Sequence, residues 1–165
     1  MPIDFDQTTR TFTIHTDATT YQMQVDRFGF LLHLYYGRRT PGQMGYLLNT
    51  FDRGTSAVPY DSAHDRTYSL DFLPQEYPVL GVGDMRSPAF IMRDGEGAFG
   101  CDLRFAGYEV RDGKYGLTGL PAVYSEQDDE AQTLAIELRD ERLGLSVTLL
   151  YGVLPHLDVI CRAVE

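Results

Sequence analysis

Carboxylates and guanidiniums crowd one stretch of the chain. Asp52, Asp61, Asp65, Asp71, Glu76 and Asp84 lie among Arg53, Arg66 and Arg86, with Tyr46, Phe51, Tyr60, Tyr68 and Tyr77 interleaved. Planar aromatic faces beside fixed carboxylates and guanidiniums suit polyhydroxylated ligands, and they suit a wet protein interface equally well. Hydrolysis of a glycosidic bond would need two of the carboxylates, one on each side of that bond. The sequence does not say which two face each other. Asp52-Arg53 and Asp65-Arg66 set opposite charges side by side, as ion-pair networks do. The first expectation for each carboxylate is therefore structural.

Other chemistries find less support. His15, His33, His64 and His156 are scattered, with neither an H-x-H nor an H-x-x-x-H spacing, so no metal site is implied. His33 falls on an apolar run and reads as a core or interface histidine. Gly81-Val82-Gly83 and Gly95-Glu96-Gly97 lack the strand, loop and helix that a phosphate-binding loop requires, and they read as turns. No G-x-S-x-G elbow is present. Cys101 and Cys161 have no C-x-x-C partner spacing, which excludes a finger-type zinc site; both lie in alternating patterns and read as buried free thiols. No catalytic residue, metal or cofactor is assigned.

The bulk properties narrow the partners. The chain has 165 residues, enough for one domain with a real core, and 43% of them are hydrophobic. A net charge of −10 disfavours a phosphate backbone and an anionic membrane surface. A neutral sugar would be indifferent to it. The N-terminal Met-Pro-Ile-Asp-Phe-Asp has no basic region followed by an apolar core, and no apolar run is long enough to cross a bilayer. A cytoplasmic protein is the simplest expectation.

The elements that must position these residues read as strands. Phe12 and Ile14, then Tyr21, Met23 and Val25, alternate with polar residues, and Phe28-Gly29 suggests a turn. Phe30 to Tyr36 is nearly continuous in apolar residues, as in a strand covered on both faces. Strand character is expected again over Pro88–Met92 and over Phe99–Phe105, with a hairpin at Asp94-Gly95-Glu96-Gly97 between them. Turns are expected at Asp112-Gly113, over Glu126–Glu130 and at Asp140–Gly144. Leu134, Ile136 and Leu138 alternate, as do Leu145, Val147, Leu149, Tyr151 and Val153, and Leu157 to Glu165 is the final run. Gln43–Phe51 is the best helix candidate. Many short strands with hairpin signals predict an all-β sandwich or barrel with little helix. The chain stops inside a strand pattern, so it is expected to be a piece of a longer protein with a strand edge left unpaired.

At this point a resemblance carries further. The segment from Tyr21 to Gly37, together with Phe51-Asp-Arg-Gly54, Tyr68-Ser-Leu-Asp-Phe-Leu-Pro-Gln-Glu-Tyr77, Gly83-Asp-Met-Arg-Ser-Pro-Ala89, Leu117-Thr-Gly-Leu-Pro-Ala-Val-Tyr124 and Leu149-Leu-Tyr-Gly-Val-Leu154, is similar to the N-terminal domain of bacterial α-galactosidases of glycoside hydrolase family 36. The match runs in order along nearly the whole chain. It implies a large, twisted antiparallel β-sandwich over residues 1–165, a supersandwich of the galactose-mutarotase type. It also implies a longer enzyme that releases terminal α-galactose from sugars such as melibiose and raffinose with retention. Both catalytic aspartates of that family lie in a (β/α)₈ barrel outside this chain, so the isolated chain is expected to be inactive. The implied partners are that barrel, the α-galactoside substrate and further copies in a tetramer. In such tetramers this domain helps shape a neighbouring subunit's pocket, and the resemblance points to Asp52 and Arg53 as substrate-binding residues. A stand-alone carbohydrate-binding module, a purely structural interaction domain and an α-N-acetylgalactosaminidase specificity stay open. The absence of Trp weighs against the first of these.

Overall fold

The computed structural model describes residues 2–50, 65, 67–121 and 130–165. Its strands are β1 (Ile3–Asp6), β2 (Thr11–His15), β3 (Thr19–Val25), β4 (Leu31–Arg38), β5 (Arg104–Asp112), β6 (Gln132–Asp140), β7 (Leu145–Leu154) and β8 (Val159–Val164). They form two antiparallel four-stranded sheets, β1-β2-β3-β4 and β5-β6-β7-β8, each a meander in chain order. Among the described residues the helical content is two short 3₁₀ turns, Gly45–Leu47 and Pro155–Leu157. The sandwich expected from the sequence is therefore what forms. The helix considered over Gln43–Phe51 amounts to the first of those turns within the described residues.

Alternation explains the core. Phe12, Ile14, Tyr21, Met23, Val25 and Leu31 on the first sheet face Leu134, Ile136, Leu138, Val147, Leu149, Tyr151 and Val153 on the second. Burying each large side chain contributes about 1.5–3 kcal/mol. β4 is covered on both faces at its start: Leu31 joins this core, while Leu32 and the preceding Phe30 turn to a second cluster with Tyr68, Leu70, Leu73 and Val82. Farther along, Tyr36 is 60% exposed, so the double cover does not extend to the strand's end.

Three strand expectations are corrected. β1 forms although its Ile-Asp-Phe-Asp is too short to declare itself. Residues 88–92 and 99–103 carry no strand. Their apolar side chains do pack, with Phe90 and Met92 against the main core and Cys101 and Leu103 inside it, but their backbones lack a continuous partner. Alternation there reports burial without pairing. Asp94–Gly97 is a turn, closed by Gly97 N–H donating to Asp94 at 3.1 Å and Asp94 N–H to Ala98 at 2.9 Å, with no strands to join. The expected turns at Phe28-Gly29, Asp112-Gly113 and Asp140–Gly144 all occur at strand ends. Residues 126–129 lie outside the described set.

The 67–101 segment is held by fixed backbone contacts. Residues 74–76 run against the edge of β4: His33 N–H donates to Pro74 at 2.7 Å and Glu76 N–H to Leu31 at 2.9 Å. Gly81 has φ +116°, and a Cβ there would lie 2.7 Å from the Cys101 nitrogen, so only glycine fits the crossing. Gly152 on β7 plays a related part, because a Cβ would meet Lys114 Cγ at 2.6 Å where residues 114–115 cover the outer face of the second sheet.

Candidate functional site

The two open sides of the sandwich are finished differently. Between β1 and β5 the closure is aromatic: Phe5 lies 4.3 Å from Phe12 and 4.7 Å from Tyr108, ring centre to ring centre. Between β4 and β8 it is polar and built on Glu76. Residues 74–76 follow the β4 edge, and this carries the Glu76 side chain into the gap between the sheets, where it is 2% exposed. Its Oε1 accepts from Tyr21 of β3 at 2.6 Å, Tyr151 of β7 at 2.8 Å and Arg162 of β8 at 2.5 Å. Nδ1 of His33, on β4, lies 3.3 Å from Oε2.

The electrostatics follow from that cage. Burial pushes the Glu76 carboxyl up, but the His33 hydrogen bond, the Arg162 charge and the two tyrosine hydroxyls outweigh it and hold the group below the ordinary glutamate range. Tyr21 and Tyr151 move well upward, by burial first and then by the adjacent carboxylate. The Arg162 guanidinium also lies over both rings, 5.2 Å from the centre of Tyr151 and 5.8 Å from that of Tyr21. A carboxyl group held below its ordinary range, which already accepts several hydrogen bonds, is a poor proton donor at neutral pH. Glu76 is a strut, and Tyr21 and Tyr151, which read as strand residues, are tied to it.

The other described carboxylates singled out by sequence, Asp65, Asp71 and Asp84, are similarly committed. Asp84, 1% exposed at its side chain, accepts from Arg86 Nε at 2.9 Å and Gln75 at 2.8 Å. Burial raises it, and the Arg86 and Gln75 hydrogen bonds more than reverse that. Arg86 also donates to the Leu70 and Leu73 carbonyls at 2.8 and 2.7 Å, so one guanidinium pins the segment together. Asp65 pairs with Arg27 and Thr67, and hydrogen bonds from Thr67 lead the causes that lower it. Asp71 accepts from Ser69. None of the three shifted carboxyls is raised, as a general acid would have to be. Asp52, Arg53, Asp61, His64 and Arg66 lie outside the described residues.

A groove of about 590 Å³ opens beside this network, between the β1–β2 turn and the start of the 67–101 segment. Thr9, Arg10, Gln24, Asp26, Arg27 and Tyr68 line it, and so do Thr50 and Asp65. The described residues on either side of the stretch that carries Asp52 and Arg53 therefore border one cavity. Many of its polar groups are already spent on structure. Gln24 donates to the Thr9 carbonyl at 2.8 Å, Arg10 to the Asp26 carbonyl at 2.9 Å, and Tyr68 to the Asp26 carboxylate. The two cysteines are free, Cys101 buried as expected and Cys161 only partly so.

Comparison with known proteins bears on this arrangement. The sequence profile of the glycosyl hydrolase family 36 N-terminal domain matches residues 29–165. The chain is 54% identical over 165 residues to the bifunctional alpha-galactosidase/sucrose kinase AgaSK of Mediterraneibacter gnavus, covering 100% of this chain and 18% of that protein. It is 38% identical over 164 residues to alpha-galactosidase AgaA of Geobacillus stearothermophilus, covering 99% and 22%. Its fold superposes on the galactosidase domain of AgaSK with a TM-score of 0.93, over 98% of this chain and 22% of that one, at 54% identity. For the alpha-galactosidase AgaB of Geobacillus stearothermophilus the TM-score is 0.89 at 40% identity, over 99% and 22%. A variant of AgaA solved in complex with raffinose gives 0.85 at 39% identity, over 93% and 21%. The chain thus spans about a fifth of the length of the curated relatives it matches.

Proposed function

Because the chain belongs to glycosyl hydrolase family 36, as that family's N-terminal domain, we propose that it is the non-catalytic sandwich of an α-galactosidase that hydrolyses terminal α-galactosides of the raffinose and melibiose type. One observation carries this reading: the whole fold matches the galactosidase domain of AgaSK, at 54% identity and a TM-score of 0.93. The chemistry of the described residues agrees with a non-catalytic part, since the buried Glu76 and Asp84 are held below the ordinary carboxylate range by their partners rather than raised as a general acid would be. Retaining hydrolysis needs two carboxyl groups about 5–5.5 Å apart, and in this reading a barrel elsewhere in the polypeptide supplies both.

The sandwich would then serve assembly and pocket shaping in a cytoplasmic homo-oligomer, a tetramer. Asp52 and Arg53 are its substrate-facing residues, reaching a neighbouring subunit's pocket, where a carboxylate and a guanidinium can hold galactose hydroxyls through charge-assisted hydrogen bonds. Supporting this, the residues flanking their stretch, Thr50 and Asp65, border one groove. The test uses a chromogenic α-galactoside. The full-length protein is expected to turn it over and the 165-residue chain to leave it intact. Asp52→Ala in the full-length protein is expected to lower kcat/KM by about tenfold or more, as loss of a charged hydrogen bond does. Turnover by the isolated chain, abolished by mutating one of its carboxylates, would overturn the proposal.

A further inference from the structure

β8 forms one margin of the second sheet. Glu165 and Thr148 exchange both of their backbone hydrogen bonds, at 2.8 and 3.0 Å. In an antiparallel ladder such pairs alternate, so Ala163 and Leu150, then Cys161 and Gly152, exchange bonds in the same way. The N–H and C=O groups of Ile160, Arg162 and Val164 therefore point away from β7. The sheet order ends at β8, so no strand among the described residues receives them. Natural edges are blunted by proline, bulges or inward charges. β8 has no proline and no break in register. Its one inward charge, Arg162, is neutralised by Glu76 at 2.5 Å.

We infer that this edge is a docking site for a β-strand contributed by the remainder of the full-length polypeptide, with Arg162 as its anchor. Glu76 and the Tyr151 ring hold the guanidinium in place, yet its side chain is 49% exposed. Its bond to Glu76 runs through Nη2, and a guanidinium carries five N–H donors. Beside it, Val164 is 47% exposed on the core-facing side of the strand, bordering a slot of about 200 Å³ walled by Tyr77, Leu149 and Tyr151. The partner strand thus offers main-chain hydrogen bonds, a carboxylate or amide oxygen opposite Arg162 and an apolar side chain for the slot. The inference rests on the reading of this chain as one domain of a longer enzyme: in the relatives it matches, about four fifths of the polypeptide lies outside the matched part. A second copy is the poorer occupant. Symmetric pairing centred on the edge would oppose two Arg162 side chains.

Hydrogen exchange resolved to single amides, in the full-length protein and in the 165-residue chain, tests this. In the shorter chain the Cys161 and Ala163 amides are expected to exchange slowly and the Arg162 and Val164 amides quickly; in the full-length protein the latter pair are expected to slow by about 100-fold or more. Val164→Pro removes an outward N–H without touching the β7 ladder. It is expected to leave the shorter chain's Tm nearly unchanged and to shorten the full-length protein's thermal half-life, whereas Ala163→Pro should weaken both. Equal exchange at Arg162 and Val164 in the two proteins overturns the inference. So does concentration-dependent protection in the shorter chain alone, which would assign the edge to a second copy. Hydrolysis of an α-galactoside by a protein whose edge amides exchange fast removes this inference and leaves the functional proposal standing; a protected edge without hydrolysis does the reverse.

Discussion

Replacing Glu76 tests whether the polar closure holds the sandwich together. In Glu76→Ala two buried hydroxyls, of Tyr21 and Tyr151, lose their acceptor. Each unsatisfied buried group costs about 1–3 kcal/mol. Arg162, half-exposed, recovers water, and its share is that of a surface pair, about 0–1 kcal/mol. The loss is expected to total about 2–7 kcal/mol, a large part of the roughly 5–15 kcal/mol that holds a domain folded. Glu76→Gln keeps an acceptor for both hydroxyls but gives up the charge, and is expected to cost about 1–2 kcal/mol, the gap between charged and neutral hydrogen bonds. Urea unfolding of the chain and these variants at pH 7 reads both values. The pH dependence gives a second check. The folded-state pKa of Glu76 is held below its ordinary value of about 4.5. Its contribution is therefore fully present above that value and is lost as pH falls through the lower folded one. The stability gap between the wild type and Glu76→Gln should narrow on acidification. A cost below about 1 kcal/mol for the alanine variant, together with a gap that stays constant from pH 7 into acid, would refute the reasoning.

Three further outcomes are expected. Gly81→Ala forces a Cβ to within 2.7 Å of the Cys101 backbone at φ +116°, so it should destabilise by more than the about 1–3 kcal/mol of backbone strain alone, read as a drop in Tm. Burial, and then the charge and hydrogen bond of Asp140, push the Cys101 thiol up to about 11, so with a thiol reagent at pH 8 the partly exposed Cys161 should react first and Cys101 only on unfolding. Arg86→Ala removes the donor to the Leu70 and Leu73 carbonyls, so limited proteolysis should cut residues 67–86 faster while the two sheets survive as a protected core.

What the sequence disclosed was what repeats along it. β6 and β7 alternate over nine and ten residues, and their inward sets supply seven of the 17 buried residues of the main core. β1 carries no pattern of its own, because four residues, two of them Asp, are too few to show an alternation. Residues 88–92 and 99–103 read as strands because a side chain's burial, not its backbone's partner, makes the pattern. The Glu76 cage was beyond reach for a different reason. Its bonds span 55, 75 and 86 residues, so no local spacing records them. The one available signal was an excess of tyrosine, whose hydroxyl needs a partner when buried. The family resemblance brought the sandwich and its larger setting into view, and it singled out Asp52 and Arg53, on which the described residues are silent.

The meander order of the two sheets has a consequence for how the protein is made. Each sheet is assembled from neighbours in sequence, and so it can form as soon as its own hairpins are complete. The first sheet is finished at Arg38, but the strands that cover its core face begin at Arg104 and end at Val164. At a synthesis rate of about 5–20 residues per second, that face waits roughly 6–25 s for its complete cover. Phe12, Ile14 and Met23 are the residues left open meanwhile. The nascent chain therefore passes through a sticky half-sandwich, and it becomes a closed one only when Arg162 arrives to meet Glu76.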